Sequence, residues 1–341
     1  MRSHPLFQLT LLRFREFVRE PEAVFWNFAF PLLLTAGLGV AFRDQAPQPI
    51  PVAAVTQQLA AALRADPQLR VEERTPEAAL NLLHTGRVAL IAEPGPNASV
   101  VYRYDEANPD ARSARLVADR AVQSAAGRSD PVPASNALVR EPGSRYIDFL
   151  VPGMIGMGLM NGGMWSLVFS IVDTRRRKLL KRIVATPMPR HHYLLSFLVW
   201  RLVLLPCEVG IPLGFGVWVF GVPLRGPLWQ FALLCLLGAL TFGSIGLLIS
   251  SRARTIEAAS GIMNLVQLPM WIVSGVFFSA ERFPAVVQPL VRALPLTALN
   301  DALRANMLQG SGLGQMVPQV AVLGVCMVVC FGSALKLFRW R

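Results

Sequence analysis

Two ionisable residues stand inside one long apolar run: Arg201 and Glu208, within Leu194 to Phe220. Their spacing of seven is about two helical turns, which places both on one helix face. An ionisable group at membrane depth is costly and is by default a functional candidate, as a proton carrier or a polar contact for cargo. The alternative is that Arg201 snorkels to an aqueous face while Glu208 pairs with a neighbouring helix. Pro206, two residues before Glu208, loosens the helix there and frees a carbonyl. A denser set of charges runs from Asp173 to Arg190, where seven of eighteen residues are basic. They are Arg175, Arg176, Arg177, Lys178, Lys181, Arg182 and Arg190. Leu179, Leu180, Ile183 and Val184 recur at helical spacing, and Pro187 and Pro189 stop the helix. Such a cationic amphipathic helix suits anionic headgroups or a cleft in a cytoplasmic partner.

Other polar groups in apolar surroundings are uncharged. Asn161 lies in a stretch rich in glycine and methionine that includes Met157 and Met164. Small residues there let helices approach closely, or the flexible thioethers line a path for varied apolar cargo. Asn264 and Gln267, one turn apart, face the same path or hydrogen-bond across helices. The four cysteines, Cys207, Cys235, Cys326 and Cys330, all fall in apolar runs, which excludes a disulfide framework and argues against a zinc site. His191 and His192 are adjacent, point apart on a helix and form no metal pair. No Ser/His/Asp or Cys/His set stands in a supporting context. A Gly-x-x-x-x-Gly-Lys-Ser/Thr loop is also missing, so this chain does not cradle nucleotide phosphates in that way.

The elements that position these residues follow from composition. Of 341 residues, 53% are hydrophobic and 16% charged, with a mean hydropathy of +0.44. A helix needs about 20 apolar residues to cross a bilayer core. Six runs meet or approach that length: Val24 to Phe42, Phe149 to Val172, Leu194 to Phe220, Leu228 to Ser250, Glu257 to Ser279 and Met316 to Phe338. A further stretch, Phe283 to Leu308, is broken by Pro284, Pro289, Arg292, Pro295, Asp301 and Arg304. It reads as a helix-turn-helix that dips into the outer leaflet, which is tolerated only where protein or water covers the backbone.

The net charge of +12 would suit nucleic acid. The basic residues, however, sit between and beside the apolar runs, so no nucleic-acid partner is expected. With the N-terminus inside, the short inner segments hold sixteen basic residues and the short outer loops four. Both termini are therefore expected on the cytoplasmic side. Residues 43–145 then form an outer domain with twelve basic and twelve acidic residues. Its pattern alternates strands at Pro51 to Val55, Leu69 to Glu73, Val88 to Ala92 and Val100 to Tyr104 with helices at Gln57 to Ala65, Pro76 to His84 and Ala111 to Ala126. Gly86 is a natural C-cap. The run Gly127 to Gly143, rich in proline and serine, reads as a linker. Residues 1–23 carry Phe7, Leu11, Phe14 and Val18 on one face of an amphipathic helix.

This order resembles the permease subunits of the ABC-2 (type V) exporter family. The basic helix ends in Ala185-Thr186-Pro187. The second span opens with Tyr146-Ile-Asp-Phe-Leu-Val-Pro-Gly153, and Leu294-Pro-Leu-Thr-Ala-Leu-Asn-Asp-Ala-Leu-Arg304 follows the fifth. The resemblance covers essentially the whole chain. It implies an α-helical polytopic membrane protein with six transmembrane helices, a re-entrant outer segment at 283–308 and an α/β extracytoplasmic domain between the first two helices. It also implies a homodimer, or a pair of related permeases, above a dimer of ABC ATPase subunits that hold ATP and Mg; this chain binds no cofactor. The coupling helix at 173–190 would meet the ATPase through Arg175, Arg176, Arg177, Lys178, Lys181, Arg182, Thr186 and Pro187. Many members carry Glu and Gly-Thr where this chain has Arg176, Arg177 and Lys178.

Within that frame the expected pathway is lined by Asn161, Met157, Met164, Glu208, Asn264 and Gln267. The expected role is outward movement of an amphipathic drug, lipid or polymer across a bacterial inner membrane, with membrane lipid and a periplasmic adaptor as further partners. A gradient-driven transporter, or a non-transporting sensor or assembly protein, are the other readings.

Overall fold

The computed structural model describes residues 5–19, 21–41, 49–96, 99–106, 108–128, 143, 145–176, 190–253 and 255–337. The chain divides into two compact units, one made of Met1–Arg43 with Arg140–Arg341 and the other of Asp44–Val139.

The chain begins with α1 (Pro5–Arg19). Helix continues from Pro21 to Ala41 as α2 (Pro21–Val24), a π-helical turn at Phe25–Ala29 and α3 (Phe30–Ala41). Its apolar part is Asn27–Ala41. That is shorter than the expected run, Val24 to Phe42.

The second unit holds β1 (Ile50–Ala54), α4 (Gln57–Arg64), β2 (Leu69–Glu73), α5 (Pro76–His84), β3 (Leu90–Pro94), β4 (Val100–Tyr104) and α6 (Pro109–Ala125). The sheet order is β2-β1-β3-β4; β1 pairs with β2 and β3 in parallel, and β4 runs antiparallel to β3. Its two central strands are buried on both faces, as parallel strands require. Val52, Ala54, Leu90 and Ala92 meet α4 and α6 through Leu59, Leu63, Ala114 and Ala118. Ala53 and Ile91 pack with Ala79 of α5 on the opposite side. Boundaries differ from the sequence reading by one or two residues in β1, α4, β3 and α6. β3 starts at Leu90, where it pairs with Val52, and not at Val88. α6 starts at Pro109, with Asn108 capping the amide of Asp110.

The first unit continues with α7 (Tyr146–Arg176), α8 (Arg190–Phe220), α9 (Leu228–Arg252) and α10 (Ile256–Val273). Two short helices, α11 (Gln288–Ala293) and α12 (Pro295–Arg304), precede α13 (Val317–Leu337). Among the described residues, five helices are long and apolar enough to cross a membrane: Tyr146–Arg176, Val199–Phe220, Leu228–Arg252, Ile256–Val273 and Val317–Leu337. With these the chain is a polytopic membrane protein. Where α8 ends and α9 begins, Trp218 and Trp229 are exposed, the usual placement of aromatic rings at a membrane–water boundary.

α7 and α9 form the centre of this unit, with α13 on the far side of α9 and α12 against α7, α9 and α13. Of the five long apolar helices, α7 has the largest buried share, and Met154, Met157, Met160 and Met164 in its glycine and methionine stretch are all at or below 2% exposure. α1 lies on α8, where the Phe14 and Phe17 rings stand 5.9 and 5.7 Å from that of Trp200. Phe7, Leu11, Phe14 and Val18 nevertheless leave much of their surface exposed. The expected fifth span, Glu257 to Ser279, is helical only to Val273, because Gly275 adopts a left-handed φ of +72° that a helix cannot continue through.

Candidate functional site

Arg201 and Glu208 find each other. Nη1 of Arg201 donates to Oε1 of Glu208 at 2.6 Å, and both side chains are buried. Arg201 therefore does not snorkel, and Glu208 does not pair with another helix. A second guanidinium nitrogen, Nη2, donates to the carbonyl of Leu159 on α7 at 3.2 Å, so the pair also bridges two spans. Gly162 makes this possible: a Cβ there would collide with Glu208 Oε1 and Arg201 Nη1. Taking two charges from water is costly, and their attraction plus a further hydrogen bond offsets part of that cost. Among the described residues of the long helices, the only other charged residue buried to this degree is Asp148, in the first turn of α7. The pair is thus a neutral polar tie at mid-span.

The uncharged pathway residues separate into different environments. Gln267 of α10 is buried; its Oε1 accepts from Trp165 Nε1 at 2.6 Å and its Nε2 faces Met164 Sδ at 3.6 Å. Asn264 is exposed, so the two amides do not share a surface. Met157 and Met164 are packed inside the unit, and Asn161 is half-buried. Within this one chain, Met157, Met164, Glu208 and Gln267 are buried and line no open surface.

A second polar cluster surrounds the irregular backbone after α10. Residues leaving a helix carry carbonyls without helical donors, and at membrane depth these must be satisfied by protein. Here side chains supply the donors one by one. Asn300 Nδ2 donates to Ser274 O at 2.9 Å, and Arg304 Nη2 donates to Gly275 O. Tyr146 Oη donates to Phe277 O at 3.2 Å, and Gln288 Nε2 to Ala280 O and Phe283 O at 2.8 and 3.0 Å. Arg304 also reaches α7: its Nε and Nη2 donate to Phe149 O at 3.2 and 3.1 Å, and its guanidinium stacks 3.6 Å above the Phe149 ring. The start of α7 is braced again by Asp148. Its carboxylate accepts from the Gly143 and Arg145 amides and from the Arg145 guanidinium, which also donates to Gly221 O at the end of α8. The two stretches Tyr146–Gly153 and Leu294–Arg304, far apart in sequence, are therefore one structural clasp.

At the other end of α7, Nη1 of Arg175 donates to Ser250 O and Ala253 O, each at 3.0 Å. These are carbonyls at the C-terminus of α9. Arg176 is exposed. Arg177, Lys178, Lys181, Arg182, Thr186 and Pro187 lie outside the described residues. Sequence reasoning missed the roles of Arg304, Asn300, Arg145 and Tyr146. The signal was present in part: polar residues within a broken apolar stretch, and a Gly beside Ser at the end of a span.

The profile described as ABC-2 family transporter protein matches residues 22–336. Among curated relatives, the chain is 29% identical over 199 residues to the inner membrane transport permease YadH of Escherichia coli (strain K12), covering 58% of this chain and 75% of that protein. It is 24% identical over 213 residues to the probable multidrug ABC transporter permease YbhR of the same organism, covering 61% of this chain and 58% of that one. Nodulation protein J of Bradyrhizobium diazoefficiens is 28% identical over 211 residues, covering 59% of this chain and 77% of its own length.

Proposed function

Because the chain belongs to the ABC-2 family of transporter proteins, we propose that it is the membrane-spanning permease of an ATP-driven exporter. ATP and Mg are held by a separate dimer of ABC ATPase subunits. The observation that carries this reading is the family match across residues 22–336, nearly all of the chain. In this reading the protein sits in a bacterial inner membrane with both termini cytoplasmic, and Pro21–Ala41 crosses as the first of six spans. The α/β unit is extracytoplasmic, and 283–308 is a re-entrant cap over the outer end of α7. The stretch 173–190 faces the ATPase, with Arg176, Arg177, Lys178, Lys181, Arg182, Thr186 and Pro187 in reach of it. Two copies, or this chain and a related permease, frame a path for an amphipathic drug, lipid or polymer. The exposed face of α10 with Asn264, and the half-buried Asn161, are the pathway residues best placed for such an interface. A periplasmic adaptor extends the route where the cargo must cross the periplasm.

A gradient-driven mechanism draws less support, because it needs a relay of titratable groups and Glu208 is committed to Arg201. The test is to capture the protein from its native membrane in mild detergent and identify what stays bound. An ABC-class ATPase in stoichiometric amount is expected, with Arg177→Glu plus Lys181→Glu reducing its retention at least tenfold. No ATPase under conditions that preserve other ABC complexes would sink the exporter reading.

A further inference from the structure

The basic residues at the end of α7 are treated as one set by their sequence, but the structure separates the first from the rest. Arg176 is exposed and is the last described residue of α7. Arg175 is turned inward and half-buried, with one nitrogen shared between Ser250 O and Ala253 O. Both acceptors belong to a particular place. Ser250 lies in the last turn of α9, and Ala253 is its C-cap, with its amide donating to Ile249 O. The negative end of the α9 dipole lies at the same point, which favours a cation there. α10 begins at once: Thr255 is its N-cap, its Oγ1 accepting from the Ala258 amide at 3.2 Å. Arg175 therefore grips the tight turn between two spans. α10 in turn is tied back to α7 by Gln267 and Trp165, and ends in the clasp of Asn300 and Arg304.

We propose that Arg175 is the internal joint through which movement of the 177–189 stretch reaches the α9–α10 turn, and that it is not itself a contact for the ATPase. This rests on the exporter reading above. A force applied to 177–189 enters α7 at Arg176, and the next side chain along the helix already holds the neighbouring spans by their backbone. Backbone carbonyls are a stiff attachment, since moving them moves the chain. The planar guanidinium meets two acceptors with one nitrogen in fixed geometry, whereas a lysine ammonium in that place is a point charge on a flexible stem.

The experiment uses the permease captured with its own ATPase, as wild type, Arg175→Gln, Arg175→Lys and Arg177→Glu. ATPase retained per permease is measured first. Hydrogen exchange is then compared with and without ATP plus vanadate over residues 177–189 and 250–258. In the wild type both segments are expected to change. Arg175→Gln is expected to retain the ATPase within twofold of wild type and to keep the change at 177–189. At 250–258 it should lose at least two-thirds of the change. Arg175→Lys is expected to fall between, and it carries the test alone if the glutamine variant does not fold. Arg177→Glu is expected to lose retention instead. The proposal is overturned if Arg175→Gln loses ATPase retention as Arg177→Glu does, or if 250–258 responds in full in either Arg175 variant. A wild-type protein that retains no ATPase removes the exporter reading and the joint with it, a result distinct from both.

Discussion

Both ends of α7 are held by arginines that donate to the backbone of other helices, but the two grips are built differently. At the Tyr146 end Arg304 is almost wholly enclosed, with an 11% exposed side chain, and donates to Phe149 O and Gly275 O while stacking on the Phe149 ring. Arg145 and Asp148 add a second, independent brace to α8. At the Arg176 end the guanidinium of Arg175 reaches two carbonyls of α9 through one nitrogen. Redundant, desolvated hydrogen bonds resist displacement, because breaking any of them leaves a buried polar group unsatisfied. Fewer described hydrogen bonds hold the Arg176 end, so less has to be broken to move it. α7 thus has a fixed end and a movable end, and in the proposed orientation the movable one faces the ATPase.

The largest expected effect is at the fixed end. Arg304→Ala leaves two buried carbonyls without a charged donor and should cost on the order of 3 kcal/mol, read as a fall in the melting temperature of the detergent-purified protein. A loss no greater than that of a surface substitution would break the comparison. Next comes the middle of α7 and α8. Glu208→Gln strips Arg201 of its counter-charge and should cost about 2–3 kcal/mol, whereas replacing both residues with leucine should recover most of that loss. If the double variant melts lower than the single, the pair contributes more than a packed apolar contact would, and α7 has a third point of grip. The smallest effect belongs to the movable end, where Arg175→Ala should cost roughly 1 kcal/mol and leave the melt nearly unchanged. A melting-temperature drop matching that of Arg304→Ala would make the two ends equivalent and remove the distinction.

Much of the fold was legible in local pattern. The alternation of short apolar runs with Gly, Pro and Thr boundaries placed all four strands and three helices of the α/β unit, because turn residues and strand periods are local properties. β3 shifted by two residues because its register is set by Val52, and a partner strand is invisible to a local reading. The seven-residue spacing put Arg201 and Glu208 on one face. It did not reveal that the arginine stem would fold along the helix to meet the carboxylate, since that depended on the hollow at Gly162. Asn264 and Gln267 looked equivalent at one turn apart, yet the face that packs on α7 took only Gln267.

By itself the sequence determined that this is a chain of long apolar helices with a polar α/β insert, and which of its ends carry the cationic residues. Those are sums over neighbouring residues, governed by transfer of side chains from water to lipid. Only the tertiary structure decided which charges meet, that Tyr146–Gly153 and Leu294–Arg304 close on each other, and that Arg175 turns inward while Arg176 does not. The charge pair depended on the hollow at Gly162, which only the packing of two helices creates. The other two depend on backbone carbonyls at or near helix ends, which are filled by whatever donor the packing of distant segments brings within reach.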